Sequence, residues 1–282
     1  MDTMCRIGNI TVGPGHPLVI IAGPCVLEGA EIDLGIARSL AETCSDLGLP
    51  LVFKASFDKA NRTSITSSRG PGLEEGLQTL ARIKEQTGLP ICTDVHHPEQ
   101  AGPAAETADL VQVPAFLCRQ TDLLVACART GRAVNVKKGQ FLSPAEMAHV
   151  IGKLKDAGCE DIMLTERGTF FGYHRLVNDF IGLGDMMDLG RPVCFDVTHS
   201  TQLPGAGEGQ SAGRPDRADL LARAATAAGA HALFLECHPD PKAASSDAAT
   251  VLPMARVPDI LAQVAAIRDA LKTGLPTATT NA

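Results

Sequence analysis

Three cations stand close together in an otherwise acidic chain. Lys54, Lys59 and Arg62 fall within the stretch 54–62, interleaved with Ser56 and Asn61 and followed by Thr63 and Ser64. The 282-residue chain has a formal net charge of −7, so this stretch is a local exception. Ammonium and guanidinium groups beside hydroxyls and amides suit a multiply charged anion such as a phosphate, which accepts many charge-assisted hydrogen bonds. Taken alone, the same residues also suit a solvated basic loop. Cys25, His199, Glu236 and Asp247 are of the types that ligate a divalent transition metal, yet their spacing is no metal signature. A lone Cys or His is more often a core residue. Placement must decide.

The elements that would do the placing follow a regular order. Short apolar runs lie at 18–23, 51–53, 90–93, 110–113, 133–136, 161–164, 192–195 and 232–235. Helical patterns follow them over 30–47, 72–87, 98–107, 119–130, from Ser143 onward, within 174–188, and over 214–228 and 256–272. Leu73, Leu77, Leu80 and Ile83 recur at helical spacing. Ser143, Pro144 and Glu146 read as an N-cap, a first-turn proline and the far side of a capping box. The apolar runs are near-continuous rather than alternating, as parallel strands covered on both faces are. Eight such strand–helix units predict a (β/α)8 TIM barrel over 18–275. The rival is a doubly wound open sheet, which advertises a glycine-rich first turn of the GxGxxG kind; here the first run leads into Gly23-Pro24-Cys25. Residues 1–17, rich in Gly and Pro, read as a preceding hairpin, and 276–282 as a disordered tail.

In such a barrel, chemistry sits at the C-terminal ends of the strands. In order, those ends read Gly23-Pro24-Cys25, Lys54-Ala55-Ser56, Asp94-Val95-His96, Gln112, Lys137-Lys138, Glu166-Arg167, Asp196-Val197-Thr198-His199 and Glu236-Cys237-His238. Strand ends of a purely structural barrel would not be so uniformly polar. Closure places the eighth strand between the seventh and the first, so Cys25, His199 and Glu236 can converge, with Asp247 on the loop after the eighth. One thiolate, one imidazole and two carboxylates favour zinc, iron(II), cobalt or manganese over magnesium. Across the mouth, Lys54, Lys137, Lys138 and Arg167, with Gln112 among them, form an electropositive half-ring. Lys138 is expected to point outward while Lys137 points in. The glycine-rich 204–210 reads as a mobile lid.

Bulk properties exclude other classes. No apolar run approaches the roughly 18 residues that span a bilayer, and no signal segment opens the chain, so a cytoplasmic protein without a membrane partner is expected. The nine cysteines lack CxxC pairs and read as reduced, most of them (Cys44, Cys92, Cys127, Cys159 and Cys194) as core residues. An acidic balance with no Trp and one Tyr argues against a nucleic-acid partner. His16, His149 and His231 read as surface or structural residues, His97 as a helix starter and His238 as a loop brace.

Taken together, Lys54-Ala55-Ser56-Phe57-Asp58-Lys59-Ala60-Asn61-Arg62-Thr63-Ser64, Arg69-Gly70-Pro71-Gly72, Gln112-Val113-Pro114-Ala115-Phe116-Leu117, Arg119-Gln120-Thr121-Asp122-Leu123, Asn135-Val136-Lys137-Lys138, Phe195-Asp196-Val197-Thr198-His199-Ser200 and Glu236-Cys237-His238-Pro239 closely resemble the 3-deoxy-D-manno-octulosonate 8-phosphate synthases over about 18–270. The resemblance implies condensation of phosphoenolpyruvate with D-arabinose 5-phosphate, with release of phosphate, in lipopolysaccharide synthesis. It implies Lys54, Lys59, Gln112, Lys137 and Arg167 for phosphoenolpyruvate. For the sugar phosphate it implies Ser56, Asn61, Arg62 and Asp94, Arg62 reaching from a neighbouring subunit of a homotetramer. Lys54, Lys59, Asp94, Lys137, Arg167 and His199 would form the catalytic set. A Cys at position 25 resembles the metal-dependent branch, whose ligands would be Cys25, His199, Glu236 and Asp247. Ser246-Asp247-Ala248-Ala249 departs from the Gly-Pro that usually follows this Asp. The related 3-deoxy-D-arabino-heptulosonate 7-phosphate synthases, which use erythrose 4-phosphate, usually have Lys-Pro-Arg where this chain has Lys59-Ala60-Asn61-Arg62. They are the first alternative; a non-catalytic barrel that binds metal or sugar phosphate is the second.

Overall fold

The computed structural model describes residues 4–62, 64–170, 174–206 and 212–272. Eight parallel strands form the barrel: β1 (Val19–Gly23), β2 (Leu51–Lys54), β3 (Ile91–Asp94), β4 (Leu110–Val113), β5 (Ala133–Lys137), β6 (Ile162–Glu166), β7 (Val193–Asp196) and β8 (Ala232–His238). Each pairs with the next. β8 then closes the ring, pairing with β7 from Cys194↔Ala232 and with β1 up to Glu236↔Gly23. Outside lie α1 (Ala30–Asp46), α2 (Leu73–Thr87), α3 (Pro98–Thr107), α4 (Thr121–Ala128), α5 (Met147–Asp156), α6 (Phe180–Met187), α7 (Ala218–Ala227) and α8 (Val257–Lys272). The expected barrel is present, and the open-sheet alternative falls with its closure.

Two separate cores explain where the polar residues go. Successive side chains on a strand face opposite sides. One alternate set (Val19, Ile21, Val52, Cys92, Leu110, Ala133, Met163, Cys194, Ala232 and Phe234) packs together inside the barrel. The other set, including Ile20, Phe53, Val111, Val134, Leu164 and Phe195, packs outward against the helices. Stepping two residues along each strand from the inner set reaches Lys54, Asp94, Gln112, Thr165, Asp196 and Glu236, and a further step along β5 passes Asn135 to reach Lys137. The pleat that fills the barrel with hydrocarbon thus lifts the polar residues into its mouth.

The far end is closed by the expected hairpin. Cys5–Ile7 pairs antiparallel with Ile10–Val12, and Cys5, Ile7 and Val12 join the inner core. The Arg6 backbone N–H donates to Asp161 at 2.8 Å. All nine cysteines are free and buried.

Helix ends depart from the periodicity where local chemistry intervenes. The pattern over 174–188 becomes a helix only at Phe180, because the Asp179 carboxylate accepts the Ile181 N–H and caps it there. Pro215–Arg217 forms a 3-10 turn, so α7 starts at Ala218 rather than 214. The Ser143 capping box forms, with Glu146 accepting the Ser143 N–H at 2.8 Å, though the first turn is 3-10. His97 caps α3. The expected tail 276–282, Thr63 and Gly207–Gln210 of the expected lid lie outside the described residues. Beside that stretch, Gln202–Leu203 pairs with Ala212–Gly213. No helix among the described residues is long and apolar enough to cross a membrane.

Candidate active site

The cations at the mouth are buried and held by carboxylates. Lys54 Nζ, at the end of β2, donates to Glu236 Oε1 at 2.7 Å and to the Cys25 carbonyl at 3.1 Å. Lys59 Nζ approaches the same Glu236 oxygen at 4.0 Å. Lys137 Nζ, at the end of β5, donates to Asp196 Oδ2 at 2.5 Å and stands 3.6 Å from the centroid of the Phe234 ring, where a cation–π attraction adds to the ion pair. Arg167, just past β6, donates from Nη2 to Gln202 Oε1 at 2.7 Å. Its Nη1 is buried with no hydrogen-bond partner among the described residues. Beneath the lysines, Thr165 donates to Asn135 at 2.7 Å and Asn135 to Gln112 at 3.3 Å, a polar layer linking β6, β5 and β4.

The sequence suggested a basic half-ring facing an acidic one; the structure interlocks them instead. Ionised groups removed from water must find opposite charges close by. Asp196, Glu236 and Asp94 show the effect. Burial alone would raise each carboxyl, but nearby cations overrule it and hold all three well below the ordinary carboxylate range. For Asp196 these are His199, Lys137 and Arg167. For Glu236 they are Lys54, His199, Lys59 and Lys137. Asp94 is held by the His96 hydrogen bond together with Lys54 and Lys59. Burial pulls Arg167 below its ordinary range, opposed by Asp196 and Glu166.

Beside this cluster lies a set of metal-capable groups. Cys25, Glu236 and Asp247 each offer a ligand atom, all within 4.8 Å of one another. Cys25 Sγ donates to Asp247 Oδ2 at 3.3 Å. His199 adjoins the triad, its Nε2 3.4 Å from Glu236 Oε2 and 3.9 Å from Asp247 Oδ2. Its Nδ1 lies 2.8 Å from Asp196 Oδ2. With Nδ1–H donated to Asp196, loss of the Nε2 proton to a bound ion would turn the Nε2 lone pair toward the carboxylates, the orientation a metal ligand needs. Glu236 Oε2 is buried and lacks a hydrogen-bond partner among the described residues. A buried thiol and two carboxylates, one with an orphaned oxygen, drawn together beside an imidazole fit a divalent transition ion.

A third group lines the β2 and β3 exits. The Ser56 hydroxyl donates to Asp94 Oδ1, and His96 Nε2 is 3.1 Å from Asp94 Oδ2. Arg62 turns to the loop after β8, donating to Ser246 Oγ at 2.6 Å and to the Ser245 carbonyl at 3.1 Å. Asn61, next to Arg62 on the loop after β2, is exposed.

Lys138 takes the outward side of the pleat, as expected, yet does not reach solvent. It faces away from the barrel interior but is fully buried, donating to the Leu142 carbonyl at 3.1 Å and lying 3.5 Å from Glu166 Oε2. The β5 and β6 exit loops cover what the pleat turned outward. Asp196, His96 and Gln202 were given no role from sequence, although the first two lie in polar strand exits. Their positions on the strand carried the signal; their pairing did not. His231 is structural, accepting the Val193 N–H at 3.0 Å, and His238 braces its loop, accepting the Asp240 N–H at 3.0 Å.

A family model described as the DAHP synthetase I family matches residues 2–273. Among similar proteins, a 2-dehydro-3-deoxyphosphooctonate aldolase of Nitratidesulfovibrio vulgaris (strain DP4) is 55% identical over 248 residues, covering 88% of this chain and 91% of its own. Another protein of that name, from Desulfatibacillum aliphaticivorans, is 54% identical over 271 residues, covering 96% and 99%. A third, from Desulfotalea psychrophila, is 50% identical over 264 residues, covering 94% of each chain.

Proposed function

Because the chain belongs to the DAHP synthetase I family, we propose that its barrel mouth performs the condensation expected from its sequence. Phosphoenolpyruvate, D-arabinose 5-phosphate and water give 3-deoxy-D-manno-octulosonate 8-phosphate and inorganic phosphate. The name shared by relatives at 50–55% identity supports this over the erythrose 4-phosphate reaction. The observation that carries the reading is the group of cations at the exits of β2, β5 and β6, Lys54, Lys137 and Arg167 buried and Lys59 half-buried, Arg167 Nη1 without a partner among the described residues.

The phosphate and carboxylate of phosphoenolpyruvate enter among these cations, with Gln112 below, and are stabilised by charges already in place. Ser56, Asn61, Arg62 and Asp94 receive the sugar phosphate. Holding both substrates side by side removes much of the entropic barrier to their reaction. Carbon 3 of the enol attacks the sugar aldehyde, water adds at carbon 2, and the C–O bond to phosphate then breaks. Asp196 keeps His199 and Lys137 oriented throughout. Cys25, His199, Glu236 and Asp247 would hold a divalent ion (zinc, iron(II), manganese or cobalt), which supplies Lewis-acid polarisation or water activation when bound.

The same reading includes a cytoplasmic role in lipopolysaccharide synthesis and a homotetramer. Phe116, Phe141 and Phe170, exposed on the loops after β4, β5 and β6, and Ile181 on α6 support subunit packing. The decisive assay follows inorganic phosphate released from phosphoenolpyruvate with arabinose 5-phosphate, with erythrose 4-phosphate and with no aldose. Release should require the aldose and be faster with the five-carbon sugar. Preference for erythrose 4-phosphate would move the enzyme to the alternative reaction, and no release under any condition would leave a binding protein.

A further inference from the structure

The exit of β6 is shaped by a buried carboxylate with no assigned role. Glu166 Oε1 accepts both the Arg167 N–H at 2.9 Å and the Gly168 N–H at 2.6 Å. One oxygen thus takes the two backbone donors that follow it and turns the chain as it leaves the strand. Gly168 completes the turn in left-handed backbone, φ 90°, and a Cβ there would come within 2.9 Å of the Leu176 Cβ. Glu166 Oε2 lies 3.5 Å from Lys138 Nζ, the counter-charge that a buried carboxylate needs. Lys138 is in turn seated by the Leu142 carbonyl at 3.1 Å and the Thr169 hydroxyl at 3.3 Å. The Phe170 N–H donates to the Gln140 carbonyl at 2.8 Å, so the β5 and β6 exit loops are joined around this pair. Arg167 stands inside the turn. Its guanidinium meets Gln202 at 2.7 Å and keeps Nη1 without a partner among the described residues.

We infer that Glu166 is a positioning residue: by accepting the N–H groups of Arg167 and Gly168, with Lys138 as its counter-charge, it fixes the backbone from which Arg167 reaches an anionic substrate. This rests on the reading above, in which Arg167 meets phosphoenolpyruvate. A long side chain arrives at a set point only when the backbone it leaves from is held. By the alternation of β6, Glu166 faces away from the barrel interior, as Lys138 does, so it acts on the substrate through Arg167. An ion pair that served stability alone would not single out one of two substrates.

The test compares Glu166→Ala, which removes the acceptor, with Glu166→Gln, which keeps an oxygen of the same reach, in the full chain. Amide exchange is measured at Arg167 and Gly168, phosphoenolpyruvate binding by calorimetry, and KM for each substrate by phosphate release. In Glu166→Ala both amides should exchange faster. The Kd and KM for phosphoenolpyruvate should rise about tenfold, short of the hundredfold that a misplacement of about 1 Å can cost. The KM for arabinose 5-phosphate should hold, and Glu166→Gln should restore most of the loss. Glu166→Ala/Arg167→Ala should bind phosphoenolpyruvate no more weakly than Arg167→Ala, because the two residues act as one unit. If Glu166→Ala does not fold, Glu166→Leu/Lys138→Met, which leaves no bare charge from the pair, takes its place. Unchanged exchange and affinity overturn the proposal. So do losses that add in the double variant, or both KM values rising equally as the melting temperature falls. A parent protein that binds no phosphoenolpyruvate refutes the substrate reading instead; amide exchange then decides whether Glu166 holds the Arg167 backbone.

Discussion

Removing the charge of Lys54 separates what the buried ion pairs do for the fold from what they do for chemistry. In Lys54→Met the 2.7 Å contact with Glu236 is lost. Glu236 keeps His199 Nε2 at 3.4 Å and Lys59 Nζ at 4.0 Å, so its charge is only partly abandoned. Breaking a buried pair costs about 3–5 kcal/mol, and the remaining neighbours place this one near 3. For a chain of this size that lowers the melting temperature by about 6–12 °C. The double variant Lys54→Met/Glu236→Gln removes both members of the closest pair, although Lys59 and His199 lose a neighbouring carboxylate, and a buried pair replaced by neutral groups is roughly neutral for stability. It should therefore melt closer to the parent than either single variant, with a coupling of at least about 3 kcal/mol in a double-mutant cycle on chelator-treated protein. Activity should behave differently: kcat/KM for phosphoenolpyruvate falls about a hundredfold in Lys54→Met, the worth of a charged hydrogen bond, and the double variant does not regain it. A Lys54→Met protein that melts within about 2 °C of the parent, or single losses that simply add, would refute the reasoning.

Other substitutions probe separate features. A Cβ at Gly23 would sit 2.0 Å from the Lys54 carbonyl, so Gly23→Ala must spread β1 from β2; a loss of about 3 kcal/mol in urea denaturation is expected, and a midpoint equal to the parent's would contradict the packing. Burial raises the Asp33 carboxyl to about 6 although the Glu28 and Gly29 N–H groups donate to it. A carboxyl that binds its proton more tightly folded than unfolded supports the fold below about pH 4 and loses that support as pH rises through 6, a swing of up to about 3 kcal/mol. The melting temperature of the parent relative to Asp33→Asn should therefore fall between pH 4 and 7, and a constant difference would argue that Asp33 keeps an ordinary pKa. Chelator treatment should abolish turnover and a divalent ion restore it; full turnover by protein shown ion-free by elemental analysis would remove Cys25 from any ligand set. Arg6→Ala breaks an exposed contact to Asp161 and should cost under about 1 kcal/mol; a larger loss would mean that the hairpin holds the barrel by that contact.

How much of this could be read from the chain alone follows from strand geometry. Strand order and closure are enough to bring Cys25 and Glu236 together, because β1 and β8 must be neighbours. The two-residue pleat is enough to send Lys54, Asp94, Lys137 and Asp196 to the same side. Neither rule says which partner a side chain reaches once there. Lys137 could have pointed freely into the mouth; it is drawn to Asp196 because a buried ammonium needs an anion. Lys138 shows the converse, since outward parity does not mean solvent when the Gly168–Thr169 segment folds over it. The left-handed Asp247 carries no glycine or proline signal, and the serine beside it looks like any loop residue until Arg62 is found against it.

The interlocked charges also bear on why the site is built this way. Buried ion pairs are poor devices for stability, since hydrocarbon of similar volume often serves as well. A barrel that needed only to fold would continue the inner core of Val52, Cys92, Cys194 and Phe234 to its rim. Instead the next inward layer carries Lys54, Asp94, Asp196 and Glu236, and the three carboxylates stay ionised against their burial. Ionised carboxylates fix the cations in position before any ligand arrives, which is the arrangement that favours a charge developing during reaction over one that merely binds. Lys137 is the clearest case. Asp196 and the Phe234 ring grip its ammonium from two sides, so an incoming anion meets a donor already aimed and partly desolvated rather than a flexible chain in water. Asp196→Asn should therefore act through Lys137 and His199, lowering kcat more than it raises the KM for phosphoenolpyruvate; equal loss in both would reduce Asp196 to a binding counter-charge.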